Sequence, residues 1–278
     1  MTFPWLKGHG TENDFVLLPD HDGTLHGDLE STFVADLCDR RRGLGADGVL
    51  RVIRSSALGV DTDAEWFMDY RNADGSISEM CGNGIRVFAR HLVDAGLVDG
   101  DHVVPIGTRD GVKDVTIEGP FVSVDMGVPQ LRGTSKVRVA DRLWEAQDVR
   151  TGNPHAVVHV DVLTDAGSLL DEPDFDPLTY PDGVNVEFVV RRDERHIAMR
   201  VHERGSGETR SCGTGACAAA VATMVLDGAA RPATYCVDVP GGRLTVTWTP
   251  DGHMILAGPA EIVASGEMTW FGQQEVHA

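Results

Sequence analysis

The sequence predicts an α/β (α+β) protein of two pseudo-symmetric half-domains, each a sheet of many short strands wrapped around one central helix. Three observations predict it. The segments YRNADGSISEMCGNG, ending at Gly84, and VHERGSGETRSCGTG, ending at Gly215, align without a gap. The alignment sets Cys81 on Cys212, Asn72 on Glu203 and Arg71 on His202, each 131 positions apart. Short apolar runs recur between Pro, Gly and Asp turns, as in sheets with many short strands. An apolar helical run follows each cysteine turn, and the second has no polar face, the mark of a helix buried within its domain.

In chain order, strands are expected over 15–18, 49–53, 112–117, 122–125, 156–160, 184–190, 196–202, 244–248 and 254–256. A helix is expected over 29–40, capped from the polar residues before it. The run over 85–95 carries apolar residues at 85, 88, 89, 92 and 93 and meets a stop at Gly96. The run over 216–226 is apolar almost all round and closes at Gly228. GTENDFVLLPD and TGNPHAVVHVD extend the repeat: each has a Gly/Thr-rich lead, an asparagine (Asn13, Asn153) and a hydrophobic strand, 140 positions apart. The expected halves are therefore 1–124 and 125–266, with the tail 267–278 returning to the first.

With 278 residues, 42% of them hydrophobic, the chain has ample core-forming capacity. A net charge of −19 argues against nucleic acid and against anionic membrane surfaces as partners. The N-terminus has no basic segment leading into an apolar one, and the run over 216–226 is too short to span a bilayer, so a cytoplasmic protein is expected. Five cysteines at no framework spacing read as free thiols. The three lysines, Lys7, Lys113 and Lys136, lie in no obvious cofactor-binding context.

A cysteine just before a helix lies where unpaired N–H groups and the positive end of the dipole favour anions. This predicts a lowered thiol pKa at Cys81 and Cys212. The same N–H groups could bind a substrate carboxylate, with Gly82, Asn83 and Gly84, and Gly213, Thr214 and Gly215, allowing close approach. One thiolate and one thiol on opposite faces of a carbon can remove a proton from one side and return it on the other. Glu203 and His155 are the nearest groups to tune them. Other readings compete. GTGACA fits a dinucleotide fingerprint but follows a polar turn rather than a buried strand. Cys212 and Cys217 lack a second ligand pair for zinc. A one-thiol hydrolase leaves the second motif unexplained. A non-catalytic amino-acid-binding module has no need of both thiols. Cys38, Cys217 and Cys236 read as small buried residues.

The chain resembles the diaminopimelate epimerase family of cofactor-independent, two-cysteine racemases. The resemblance rests on GHGTENDF, RRGLGADG at 41–48, MDYRNADGSISEMCGNG, TGNPH, GVNVEF and ERGSGETRSCGTGA. Proline racemase-like relatives carry a histidine where this chain has Asn83, and phenazine-biosynthesis-type relatives lack the thiol pair. The resemblance implies the family's fold and interconversion of LL- and meso-diaminopimelate with no cofactor and no metal, serving lysine and peptidoglycan synthesis. It implies Cys81 and Cys212 as the acid/base pair, with His155 and Glu203 tuning them. Substrate would be held by Asn13, Asn72, Gly82, Asn83, Asn153, Asn185, Glu203, Arg204, Gly213 and Thr214. Asparagine donates and accepts at once, and Arg204 can grip a carboxylate in a two-pronged fork. The family pattern has Gln in many members where this chain has Gly48. It also implies a homodimer.

Overall fold

The computed structural model describes residues 1–270. Of the expected returning tail, 271–278 lies outside the described residues. The chain divides into two compact units. The first takes Met1–Gly10, Asp14–Val122 and the described chain from Ala260; the second takes Thr11–Asn13 and Ser123–Pro259.

The first unit contains β1 (Thr2–Gly10), β2 (Asn13–Pro19), α1 (Ser31–Cys38), β3 (Gly48–Arg54), β4 (Trp66–Asn72), α2 (Gly82–Asp94), β5 (Val104–Thr108) and β6 (Gly111–Glu118), and ends within β7 (Phe121–Asp125). β2 and β3 pair in parallel with Phe15 on Gly48, and β3 and β4 antiparallel with Val49 on Arg71. α2 packs against β1, β3, β4 and β6. Phe3, Val16, Leu18, Val34, Leu37 and Val49 form a core cluster beneath α1. α1 is shorter than expected and lacks the expected side-chain cap: Leu29 has φ 51°, outside helical space, and Glu30 makes no capping hydrogen bond. It ends where the Asp39 carboxylate accepts from the N–H groups of Arg41 and Arg42.

The second unit continues through β8 (Gln130–Val139), β9 (Arg142–Thr151), β10 (Asn153–His159), β11 (Asp174–Phe175), β12 (Asn185–Asp193), β13 (His196–Glu203), β14 (Gly207–Thr209), α3 (Gly213–Leu226), β15 (Ala233–Val239), β16 (Gly242–Trp248) and β17 (Met254–Pro259). β10 and β12 pair in parallel with His155 on Asn185, and β12 and β13 antiparallel with Val186 on His202. This is the arrangement of β2, β3 and β4 repeated, and the registers match the sequence repeat. α3 packs against β9, β10, β12, β13, β15, β16 and β17. Its Ala216, Ala218, Ala219, Ala220 and Ala222 are all buried, small side chains that let strands approach on every side. The last strand, β18 (Glu261–Thr269), belongs to the first unit and pairs antiparallel with β1, Trp5 on Gly266.

Both long helices begin directly after their cysteine, three residues before the apolar periodicity does, because the sulfur caps them. Both end alike. Gly96 and Gly228 take φ 66° and 60°, Leu97 N–H donates to Leu92 O, and Ala229 N–H to Met224 O. These are left-handed glycine stops that satisfy the last carbonyls.

His91, in the last turn of α2, shows which effect wins when burial opposes the helix dipole. A cation is favoured there, yet the ring is 6% exposed, and desolvation with His21 nearby holds its pKa down to about 4. An unfolded chain takes up this proton near 6.5 and the folded one does not. Stability is therefore full above that pH and falls as pH drops from about 6.5 to 4, by about 3 kcal/mol for this group. His21 and His26, also lowered by burial, act in the same direction. Thermal melts across this window should show a steep acid loss that His91→Phe reduces; an unchanged slope in the variant would assign it elsewhere.

Candidate active site

In the first unit Cys81 is extended (φ −140°, ψ 120°) and caps α2, its Sγ accepting from Gly84 N–H at 3.4 Å. Gly82 and Asn83 form the first helical turn. Arg86, fully buried one turn on, donates through Nη1 to Gly82 O and Asn83 Oδ1, both at 3.0 Å. The turn that carries the candidate carboxylate donors is thus tied from beneath by a guanidinium that sequence reasoning passed over. The one signal was a charged residue near the start of an apolar helical run, three places after Asn83. Gly10 makes room for it: a Cβ there would lie 2.9 Å from Arg86 Nη2.

Asn72 ends β4, with Nδ2 donating to Ser76 Oγ at 2.9 Å. It pairs with Gly48 on β3. A Cβ at Gly48 would lie 2.6 Å from Arg71 O and 2.7 Å from the Tyr70 ring, so no side chain fits without displacing β4. β4 is anchored by buried Asp69, which accepts from Arg71 Nε at 3.0 Å and Arg109 Nη2 at 2.5 Å.

In the second unit Cys212 is 5% exposed and caps α3, with Sγ accepting from Gly215 N–H at 3.3 Å and lying 3.4 Å from Thr214 Oγ1. Thr214 O accepts from Thr151 Oγ1 at 3.2 Å. The Glu203 carboxylate lies close enough to Cys212 for its charge to act on the thiol, and accepts from Thr209 Oγ1 at 2.5 Å. The expected lowering of the Cys212 pKa does not occur. Burial, then the charges of Glu203 and Glu187, push the thiol well above its usual value, outweighing the helix N-terminus. Glu203 is itself raised by burial.

His155 is fully buried, with Nδ1 2.6 Å from Glu187 Oε1 and Nε2 2.9 Å from Asn153 Oδ1. Glu187 was not foreseen; its only mark in the sequence is an acid in the middle of an apolar strand. Asn185 Oδ1 accepts from Arg204 N–H at 2.8 Å. The exposed Arg204 guanidinium donates through Nη1 to Asp182 O at 2.8 Å. Thr11 and Glu12, just before Asn13, have φ of 51° and 62°. They tie to the two residues that precede Cys212: Thr11 Oγ1 to Ser211 Oγ at 2.6 Å, and Arg210 Nε to Glu12 Oε2 at 2.7 Å.

Contacts therefore link Cys212 with Glu203 and Thr214, His155 with Asn153, and Asn185 with Arg204 in the second unit. Cys81, Gly82 and Asn83 share one turn in the first, and Asn72 stands at the end of β4. Among the described residues no three His, Cys, Asp or Glu side chains are placed to hold a metal ion, and no helix is long and apolar enough to cross a membrane.

A strand frame built twice, each copy delivering a cysteine-capped helix, defines a fold class with solved members. The structure matches a phenazine biosynthesis protein of the PhzF family from Bacillus anthracis with a TM-score of 0.73 at 17% identity, covering 97% of this chain and 100% of that one. It matches a probable proline racemase from Agrobacterium radiobacter K84 with a TM-score of 0.71 at 14% identity, covering 99% and 94%. Within that class, the family model described as diaminopimelate epimerase matches residues 5–132 and 148–263. A diaminopimelate epimerase from Streptomyces coelicolor is 58% identical over 276 residues, 95% of this chain and 94% of that protein. One from Corynebacterium glutamicum is 46% identical over 279 residues, 96% and 99%. The chain belongs to the diaminopimelate epimerase family, as its motifs led us to expect.

Proposed function

We propose that this protein interconverts LL- and meso-2,6-diaminopimelate by a two-base mechanism without a cofactor, with Cys81 and Cys212 as the acid/base pair. The observation that carries the reading is the sulfur of each cysteine seated on the N–H of its own helix start, once in each repeat. In one direction the Cys81 thiolate takes the α-proton and the Cys212 thiol delivers its own to the opposite face; the reverse reaction exchanges the roles. Burial and two carboxylates favour the thiol form of Cys212, suiting it to donate first. To act as base, it can pass its proton to the neighbouring Glu203 carboxylate. The helix-start N–H groups at Gly82–Asn83 and Gly213–Thr214 would stabilise the charge that builds on the substrate carboxylate as the C–H bond breaks. Asn13, Asn72, Asn153, Asn185 and Arg204 would hold the ammonium and carboxylate groups of the substrate. The same reading makes the protein a cytoplasmic homodimer serving lysine and peptidoglycan synthesis.

Incubating LL-diaminopimelate with the protein in deuterated water, with no addition, should yield the meso isomer with deuterium at the inverted carbon. Saturable binding without α-deuteration would make the protein a binding module and overturn the reading.

A further inference from the structure

The two cysteine turns rest on different floors. Beneath the first, the Cβ position of Gly84 faces Leu50 Cδ2 at 3.2 Å and Phe15 Cζ at 3.5 Å. Beneath the second, the Cβ position of Gly215 faces Glu187 Oε1 at 2.7 Å and Cys212 Sγ at 3.2 Å. The strands put these residues in equivalent places. Phe15 lies opposite Gly48 on the parallel pair β2–β3, and His155 opposite Asn185 on the parallel pair β10–β12. Leu50 and Glu187 each come two residues further along the second strand of their pair. An apolar pair in one half is thus an imidazole–carboxylate pair in the other. None of the four side chains is exposed, and Glu187 Oε2 has no hydrogen-bond partner among the described residues. Burying such a pair costs desolvation that Leu and Phe avoid. A floor needed only for packing would favour the apolar version, which the first half shows is compatible with this frame.

We propose that Glu187 is a positioning residue of the second half-site. It holds His155 by Nδ1, which sets Nε2 against the Asn153 amide oxygen and leaves the Asn153 amide N–H groups to donate to substrate. Its carboxylate, lying against the Cys212 turn, also supplies a charge that makes the two thiols unequal. The proposal rests on the epimerase reading for its first part and on the geometry around Cys212 for its second. Cys212 is faced by Glu203 from β13, by Glu187 from β12, and by Thr214 and Gly215 from its own helix start. Glu187 in turn is coupled to His155, Glu203 and Tyr180. The upward push on the Cys212 thiol by both carboxylates agrees with this arrangement.

Glu187→Gln separates the two roles, since it keeps an oxygen for His155 Nδ1 and removes the charge. It should hold KM near the wild-type value, lower kcat about tenfold, and shift the pH–rate profile. Site-resolved alkylation by iodoacetamide should move to lower pH at Cys212 and stay in place at Cys81. Glu187→Leu removes the hydrogen bond as well and should lower kcat about 100-fold while raising KM. His155→Phe with Glu187→Leu copies the apolar floor of the first half and provides the alkylation readout in a well-packed protein. Wild-type pH–rate and alkylation curves in Glu187→Gln and in the double variant would overturn the proposal. A wild-type protein that exchanges no α-proton would sink the epimerase reading instead, while the alkylation curves would still decide whether Glu187 acts on Cys212.

Discussion

Replacing either Cys81 or Cys212 by Ala is expected to lower the rate of inversion by at least about 10⁴-fold, since the remaining thiol serves only one face of the reacting carbon. The fold should survive. Cys212 is nearly buried but small, and the sulfur's hydrogen bond to one helix N–H contributes on the order of 1 kcal/mol, as caps do. The informative result is what each variant still does. With one thiol left, a proton can be taken and returned on one face only. The Cys212→Ala protein should therefore wash deuterium into one isomer without inverting it, and the Cys81→Ala protein into the other. Proton NMR of each isomer in deuterated water reads this directly. Inversion at near wild-type rate in either variant would end the two-base mechanism.

The second large effect is expected far from any thiol. Gly241, in the β15–β16 turn, has its Cβ position 1.9 Å from Thr11 O and 2.6 Å from Thr11 C. Backbone cannot yield there as a flexible side chain would. Thr11 is in the left-handed region and bonded to Ser211, while Gly241 N–H donates to Arg210 O at 2.9 Å and Pro240 O accepts from Arg210 Nη2 at 2.9 Å. Gly241→Ala should cost about 3 kcal/mol by overpacking, roughly a 10 °C loss in Tm for a unit of this size. The strain leads to Ser211, next to Cys212, and along Thr11–Glu12 to Asn13, so kcat/KM should fall about tenfold in the protein that remains folded. A melting curve within about 1 °C of wild type would show that the close approach is not held in solution.

The sequence announced the parts whose physics is local. Cys-Gly-Xaa-Gly before an apolar run marks a helix start wherever the chain places it, and runs such as Val49–Ile53 need only their own β-branched residues to be recognised. β4 escaped notice because Asp69 and Arg71 break its apolar run; only the folded protein supplies the arginines that make that carboxylate tolerable. β8, β9 and β18 escaped because their exposed faces dilute the alternation. Glu187 and Arg86 were illegible for a related reason. Each is a charge in an apolar setting, and its meaning lies in a partner's position: His155 is 32 residues away, and the Asn83 amide faces back along the helix. The thiol pKa at Cys212 was misjudged because a helix start is visible in sequence and the carboxylates gathered around it are not.

The pairing of β1 with β18 has a consequence for the order in which the protein can be completed. As the chain leaves the ribosome, every strand of the second unit and its helix are made before β18 exists. The first unit has its own helices and inner strands early, but β1 lacks its partner on that edge until the last strand emerges. An open strand edge that waits for the whole chain is where a nascent protein is most exposed to wrong pairing. The half that is synthesised first is therefore the half that finishes last.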